Sequence, residues 1–543
     1  MTRGSSRLTR NLLFGACSFG LLACATSQAK AQDLQQIQAQ IQEMQATIQA
    51  LQKQVADAKA QAAAANATAS TAGKSDLDLK VKWKGAPELS SADGKFKMKV
   101  RGRVEVDYNK ANQDTRITSF PDVAGTELRR ARLGIEGVLY YDWKYILEVD
   151  FANDAVRIRD AYLDYQGFKI ADDPLIFRVG NFKTFNTFEE ENSANYLDSM
   201  ERAAFIPAWN IDRQIGFGTM YYTDKFGLAA GVFGQRFPSE QDNPLFAGFT
   251  GDEDLTFGAR AYAAPINRET NGLPQVLHFG ASVRTRQAGD DQQLFAYGNE
   301  TGQTARAAEL RLTNAPVVTG RIGEEDTFWG LEAAALWGPL SLQGEYAQLD
   351  VELPTGPFVR GNPPFAPGQL ARIANPFVGD PDPTFNGWYV EATWFFGGHK
   401  TYDNGGKWGR PKIYNPMFHG SGGWGALQLV GKYDVLDQSD TAFNNAGGCR
   451  NTTLYPGVSA SAAGAPPALA ANSIPLCGEM NTWVAGVNWW MTEYVRLMFQ
   501  YSESELSNYP IFVAQNPALP PGTNNGFDGA HIRGFGMRMH VDW

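Results

Sequence analysis

The stretch Lys95-Phe96-Lys97-Met98-Lys99-Val100-Arg101-Gly102-Arg103-Val104-Glu105-Val106-Asp107-Tyr108 decides the fold. Every odd position is charged, and every even position is apolar or glycine. A period of two belongs to a β-strand, whose successive side chains point to opposite faces of the pleat. One face therefore carries five cations in succession, Lys95 to Arg103, while the other carries only groups suited to hydrocarbon. A transmembrane β-barrel calls for that division, with lipid outside and a polar lumen inside. The expected fold is all-β, a transmembrane antiparallel β-barrel whose charged face lines a pore.

The code recurs along the chain. Arg130, Arg132 and Glu136 alternate with Ala131, Leu133 and Ile135, and Lys144, Glu148 and Asp150 with Tyr145, Leu147 and Val149. His278, Ser282, Arg284 and Arg286 alternate with Leu277, Phe279, Ala281 and Val283. The last strand sets Arg538, His540 and Asp542 against Met539, Val541 and Trp543. Turn clusters such as Tyr141-Asp142, Thr223-Asp224-Lys225 and Trp337-Gly338-Pro339 fall between strands. A mean hydropathy of −0.32 beside 12% aromatics and 56 glycines fits alternating strands, turns and interfacial girdles. Strands of about ten residues give about 16 strands, with 18 as the alternative.

The barrel is expected over 94–543. Residues 1–31 read as a secretory signal peptide: Arg3, Arg7 and Arg10 precede an apolar run, and Ala29-Lys30-Ala31 supplies the small residues before cleavage at Gln32. A lipobox-like Leu21-Leu22-Ala23-Cys24 is the weaker rival. Over 32–59, Leu34, Ile37, Ile41, Met44, Ile48, Leu51 and Val55 recur at steps of three and four, the seam of a coiled coil and hence of an oligomer. An amphipathic helix packed on some other surface is the plainer reading. Residues 60–93 are expected to be a linker. Of the four cysteines, Cys17 and Cys24 leave with the signal, and Cys449 and Cys477 flank a Pro/Ala/Ser-rich loop that a disulfide would close outside the cytoplasm.

Further residues resemble a known family. Arg129-Arg130-Ala131-Arg132-Leu133-Gly134 is similar to its early strand motif, as is Val179-Gly180-Asn181-Phe182-Lys183-Thr184 followed by Ser199-Met200-Glu201-Arg202. Val484-Ala485-Gly486-Val487-Asn488-Trp489-Trp490, leading into Val495-Arg496-Leu497-Met498, resembles its late strands. The family is that of the phosphate-selective porins, O and P type, of Gram-negative outer membranes. Phe185 stands where the family usually has proline. The resemblance implies a homotrimer of 16-stranded barrels in outer-membrane lipid, with arginines and lysines conducting inorganic anions, phosphate among them.

The residues give a looser version of that answer. Cations lining a narrow passage with low-dielectric walls concentrate anions, and the planar guanidinium fork suits phosphate oxygens. The expected anion-binding lining is Lys97, Lys99, Arg101, Arg103, Arg130 and Arg132. Glu105, Asp107, Glu136 and Glu148 share that face and would neutralise it in the competing arrangement of lumen salt bridges. The net charge of −10 becomes −14 once Arg3, Arg7, Arg10 and Lys30 leave, but selectivity follows the constriction and not the total. The acidic runs Glu189-Glu190-Glu191, Asp252-Glu253-Asp254, Glu324-Glu325-Asp326 and Asp380-Pro381-Asp382 are expected to be solvated loop faces. With five histidines and no H-E-x-x-H, G-x-S-x-G or Walker glycine loop, no enzyme is expected, nor any cofactor, metal or nucleic-acid partner. The expected function is an anion-preferring diffusion channel. The alternatives are a general diffusion pore with little selectivity and a structural protein that tethers the envelope through its coiled coil.

Overall fold

A computed structural model describes residues 49–61, 79–115, 121–152, 156–209, 211–234, 255–288, 294–300, 303–304, 317–319, 321–356, 358–359, 372–373, 377–446, 477–508 and 528–543. It separates into two units, residues up to Asp78 and Leu79–Trp543. In the first, residues 49–61 form a helix with Leu51 and Val55 exposed on its surface. The rest of the expected signal and coiled coil lies outside the described residues.

The second unit is a closed antiparallel barrel of sixteen strands. They are β1 (Lys97–Gln113), β2 (Asp122–Leu139), β3 (Trp143–Asp150), β4 (Arg157–Ile170), β5 (Asp173–Lys183), β6 (Arg213–Tyr222), β7 (Phe226–Phe233) and β8 (Thr256–Thr270). There follow β9 (Leu273–Gln287), β10 (Glu325–Trp337), β11 (Leu340–Glu352), β12 (Thr384–Phe396), β13 (Ala426–Asp437), β14 (Glu479–Trp490), β15 (Val495–Ser507) and β16 (Ala530–Asp542). Each strand pairs with the next, and β16 pairs back onto β1, with Arg538 opposite Asp107 and Asp542 opposite Arg103. Closure leaves no open edge in the wall, which lipid requires because it cannot hydrogen-bond a free backbone. The seam depends on a glycine: a Cβ at Gly102 would stand 2.0 Å from the Trp543 ring.

Alternation sorts the side chains as the sequence indicates. On β1, Val104, Val106 and Tyr108 are exposed, while Arg103, Glu105, Asp107 and Asn109 are buried in the lumen. Aromatic residues such as Trp143, Trp337, Trp394 and Phe396 stand exposed on the outer wall. Among the described residues no helix is long and apolar enough to cross a membrane; the strands cross instead. Residues 80–90, expected within a linker, form a hairpin (Lys80–Lys84 and Ala86–Ser90) whose second strand pairs with β1.

Connections alternate between short turns at one end and long loops at the other, with one exception. The β12–β13 connection, 397–425, lies at the short-turn end yet contains a hairpin, Gly398–Asp403 paired with Lys407–Ile413. This hairpin occupies the lumen: the hydroxyl of Tyr402 bonds the inward-facing His278 at 2.7 Å, and Arg260 donates to the Gly405 and Gly406 carbonyls at 2.9 and 2.7 Å. From the opposite end, loop 184–212 enters as well. Its Phe205, Ile206, Trp209 and Ile211 pack with Tyr297, Val318, Phe377 and Phe443 on Phe328, Leu349, Phe385 and Leu436, an apolar core inside the barrel. Cys477 belongs to that core and is disulfide-bonded, while Cys449 lies outside the described residues.

Candidate functional site

Loop 184–212 crosses the lumen in front of the inner wall of β1–β6. Between them lies a cavity of about 390 Å³, lined by twelve arginine and lysine side chains against eight carboxylates. Of the residues singled out in the sequence, Arg101, Arg103, Arg130 and Arg132 line it. Lys97 and Lys99 do not; they sit at the short-turn end of β1, with the Lys99 ammonium 4.0 Å from Glu136.

Two irregularities enrich the wall beyond strict alternation. Glu105 pairs with Arg130 and Val106 with Leu128, so Arg129 is an extra residue bulged into the lumen. There it makes a bidentate pair with Glu201 of the loop, at 2.6 and 2.7 Å. On β4, Arg159 and Asp160 together face Glu148, between the pairs Leu147–Ala161 and Val149–Ile158. A period-two reading assigns one residue of such a doublet to lipid. Arg178 on β5 and Arg213 at the start of β6 add further cations; Arg178 stacks over the Tyr162 ring at 3.7 Å. Alternation would have found Arg178, because Phe177 and Val179 flank it on the outer face.

Most of these cations are paired. Arg101 reaches Glu136 and Glu148 at 2.9 and 3.2 Å. Arg132 reaches Glu148 and Asp150 at 3.0 and 2.8 Å, and Arg130 pairs with Glu105. Arg213 forks onto Asp160 at 2.8 and 3.0 Å, and Arg178 onto Asp164 at 2.7 and 2.8 Å. Arg103 differs. It lies directly across the sheet from Arg132 and is 3% exposed. Its Nη2 meets only the Ser193 hydroxyl, at 3.4 Å, and its Nε and Nη1 have no hydrogen-bond partner among the described residues. The carboxylates whose charge reaches it, Glu105, Glu148 and Asp542, are engaged by Arg130, Arg132 and Arg410 respectively.

The run Glu189-Glu190-Glu191 corrects an expectation. Glu189 and Glu190 are not solvated but buried inside the barrel. The helical turn Phe188–Glu191 is fixed there because Glu345 on β11 accepts the backbone N–H of Phe188 and of Glu189, each at 2.7 Å. Glu189 in turn accepts the Ala203 N–H at 2.7 Å, and Asp434 accepts that of Ala204 at 2.7 Å. Lys183 and Arg202 donate to the carbonyls that end the turn, and Arg202 also pairs with Glu190 at 2.8 Å. Burial raises the Glu190 carboxyl above its ordinary range, with Arg202 and Lys183 opposing. Burial acts on Glu201 too, but Arg129 and Arg538 outweigh it and hold that carboxyl well below the usual range. Asp326 is likewise buried, paired with Arg284 and Arg286 at 3.3 and 2.7 Å, while Asp252-Glu253-Asp254 lies outside the described residues.

A closed sixteen-stranded barrel with an apolar outer wall and a charged lumen narrowed by inserted segments defines an outer-membrane channel. The family model described as phosphate-selective porin O and P matches residues 98–509, and the chain belongs to that family. It resides in the outer membrane of a Gram-negative bacterium, with the short turns on the periplasmic side. Porin O of Pseudomonas aeruginosa is 28% identical over 301 residues, covering 51% of this chain and 64% of that protein. An uncharacterized protein of Caulobacter vibrioides is 30% identical over 367 residues, 66% of this chain and 65% of the other. The chain thus spans just under two thirds of the length of these curated relatives. Among solved structures, an anion-selective porin from Comamonas acidovorans aligns over 82% of this chain and all of its own, at 13% identity and a TM-score of 0.44. OmpT of Vibrio cholerae aligns over 83% and 98%, at 12% identity and a TM-score of 0.42.

Proposed function

We propose that this channel prefers anions and passes small ones, phosphate among them. Arg103 carries the reading: a buried guanidinium with two unused donor nitrogens, pressed against Arg132, is complete only when an anion or water meets it. Cations in a low-dielectric passage focus the field and raise the local anion concentration. The unused Nε and Nη1 lie on different edges of the planar guanidinium, so each offers its own donor to an oxygen of an anion or of water. Arg101, Arg130 and Arg132 are tied to wall carboxylates and would act through the field more than by contact. That neutralisation favours a second reading, a general diffusion pore with little ion preference.

The same proposal takes the chain as a homotrimer whose helix, with Leu51 and Val55 on its surface, forms a periplasmic coiled coil after cleavage of residues 1–31. A disulfide between Cys449 and Cys477 would close the β13–β14 loop. If the coiled coil tethers the envelope, deleting residues 32–74 will loosen envelope attachment and leave conductance intact.

The deciding experiment is the zero-current potential across a planar bilayer under a KCl gradient, followed by addition of phosphate. An anion-signed potential and a chloride current blocked by phosphate are expected, with the potential reduced and the block lost in Arg103→Ala. An anion-signed potential without block removes phosphate and keeps the anion channel. A potential near zero returns the general diffusion pore, and a cation-signed one defeats both.

A further inference from the structure

The β12–β13 connection divides into two parts with opposite surroundings. Its first part, the hairpin 398–413, stands in the lumen. Its second part, 414–425, turns outward and has no charged side chain. It is an ordered segment: the Ser421 hydroxyl accepts the N–H groups of Phe418 and Gly423 at 3.1 Å each, and the Met417 N–H bonds the Met491 carbonyl at 2.6 Å. Despite that order, Tyr414, Met417, Phe418 and Trp424 are all exposed, Phe418 at 62% and Trp424 at 53%. Four exposed apolar side chains on one short segment, held by its own backbone hydrogen bonds, mark a contact with something apolar.

Its place on the barrel says what that is. The Trp424 carbonyl accepts from the indole of Trp489 at 2.8 Å. Trp489 faces outward, since Asn488 and Trp490 on either side of it are buried in the lumen. Leu427, paired with both Trp489 and Phe396, belongs to the same outer row. Segment 414–425 therefore lies over the lipid-facing side of the wall at its short-turn rim, continuous with the exposed Trp394 and Phe396. Tryptophan, tyrosine and phenylalanine with small uncharged neighbours are the composition of a membrane-interface contact.

We propose that 414–425 is a membrane anchor that inserts Met417, Phe418 and Trp424 into the periplasmic leaflet of the outer membrane, with phospholipid as its partner. The anchor fixes the outer root of the lumenal hairpin: the Tyr414 N–H bonds Gly397 at 2.9 Å, and the Tyr414 hydroxyl bonds His399 at 2.8 Å.

The test is a nitroxide attached to Phe418→Cys in the full chain, reconstituted in liposomes of phosphatidylethanolamine and phosphatidylglycerol. The ratio of collisions with oxygen to collisions with a water-soluble nickel chelate reports membrane depth. The expected ratio is severalfold above that at Asn271→Cys, on an exposed short turn, and close to that at Phe396→Cys on the outer wall. Trp424→Cys repeats the measurement should the first variant fail to assemble. Ratios at either position equal to that of the Asn271 label would overturn the anchor and leave the patch to a soluble periplasmic partner.

Discussion

The wall of β8–β13 and the wall of β1–β6 both bury arginines and carboxylates, but they face different things. On β8–β13 the charges meet inserted backbone. Glu345 and Asp434 accept N–H groups of loop 184–212, and Arg260 holds the hairpin carbonyls while pairing with Glu332 at 2.7 Å. On β1–β6 most charges meet each other across the sheet and face the cavity, and one of them, Arg103, is left over. The same residue types are scaffold where inserted backbone meets them and cavity lining where they meet each other. A formal charge of −10 for the whole chain is consequently compatible with a basic cavity, because many carboxylates serve as acceptors for buried backbone.

Removing the hairpin would break this comparison most directly. Replacing Gly398–Ile413 by a short turn strips Arg260 of its carbonyl partners and takes Trp408 from Gln343 and Asn192. Single-channel conductance should rise severalfold, while the sign of the reversal potential stays the same because β1–β6 is untouched. Unchanged conductance would show that ions do not pass beside the hairpin.

Paired substitutions on the two walls sharpen the contrast. Glu345→Ala leaves the N–H groups of Phe188 and Glu189 without their acceptor, at about 1–3 kcal/mol for each buried group left unpaired. The midpoint of denaturant unfolding should fall and conductance become noisier as loop 184–212 loosens. Arg103→Ala has the reverse profile. It deletes a like charge beside Arg132, so stability holds or rises, yet the anion-to-cation permeability ratio should drop severalfold. A destabilised Arg103→Ala would make Arg103 scaffold like Glu345.

How much of this was legible in the sequence depends on the range of the interaction. Alternation over Lys95–Tyr108 is local, and it placed Arg103, Glu105 and Asp107 inside and Val104, Val106 and Tyr108 outside. The β-bulges at Arg129 and at Arg159–Asp160 hide two more arginines because one extra residue inverts the parity that alternation relies on. The burial of Glu189 and Glu190 was illegible for another reason. It depends on Glu345, more than 150 positions away, and nothing around an acidic run says whether distant N–H groups or water will surround it. The outer contact of 414–425 escaped for the same cause, since it follows from which side of Trp489 the chain passes.

Glu190, on the loop that faces β5 and β6, gives the smallest and most specific test. It lines the cavity, pairs with Arg202 at 2.8 Å and lies 4.0 Å from both Lys183 and Arg213. Its carboxyl is raised, burial being the main cause, so it takes up a proton at higher pH than an ordinary glutamate. As pH falls from neutral, Glu190 is neutralised before Glu201, whose carboxyl Arg129 and Arg538 hold low, and the cationic excess of the cavity grows by one charge. Anion preference should therefore increase on mild acidification, by less than Arg103→Ala removes. Glu190→Gln fixes the neutral form: it should show the acid-side preference already at neutral pH, with a flatter profile over the mildly acid range. If the profile of Glu190→Gln keeps its slope, another lumen carboxylate sets the pH response, and the loop belongs to the scaffold alone.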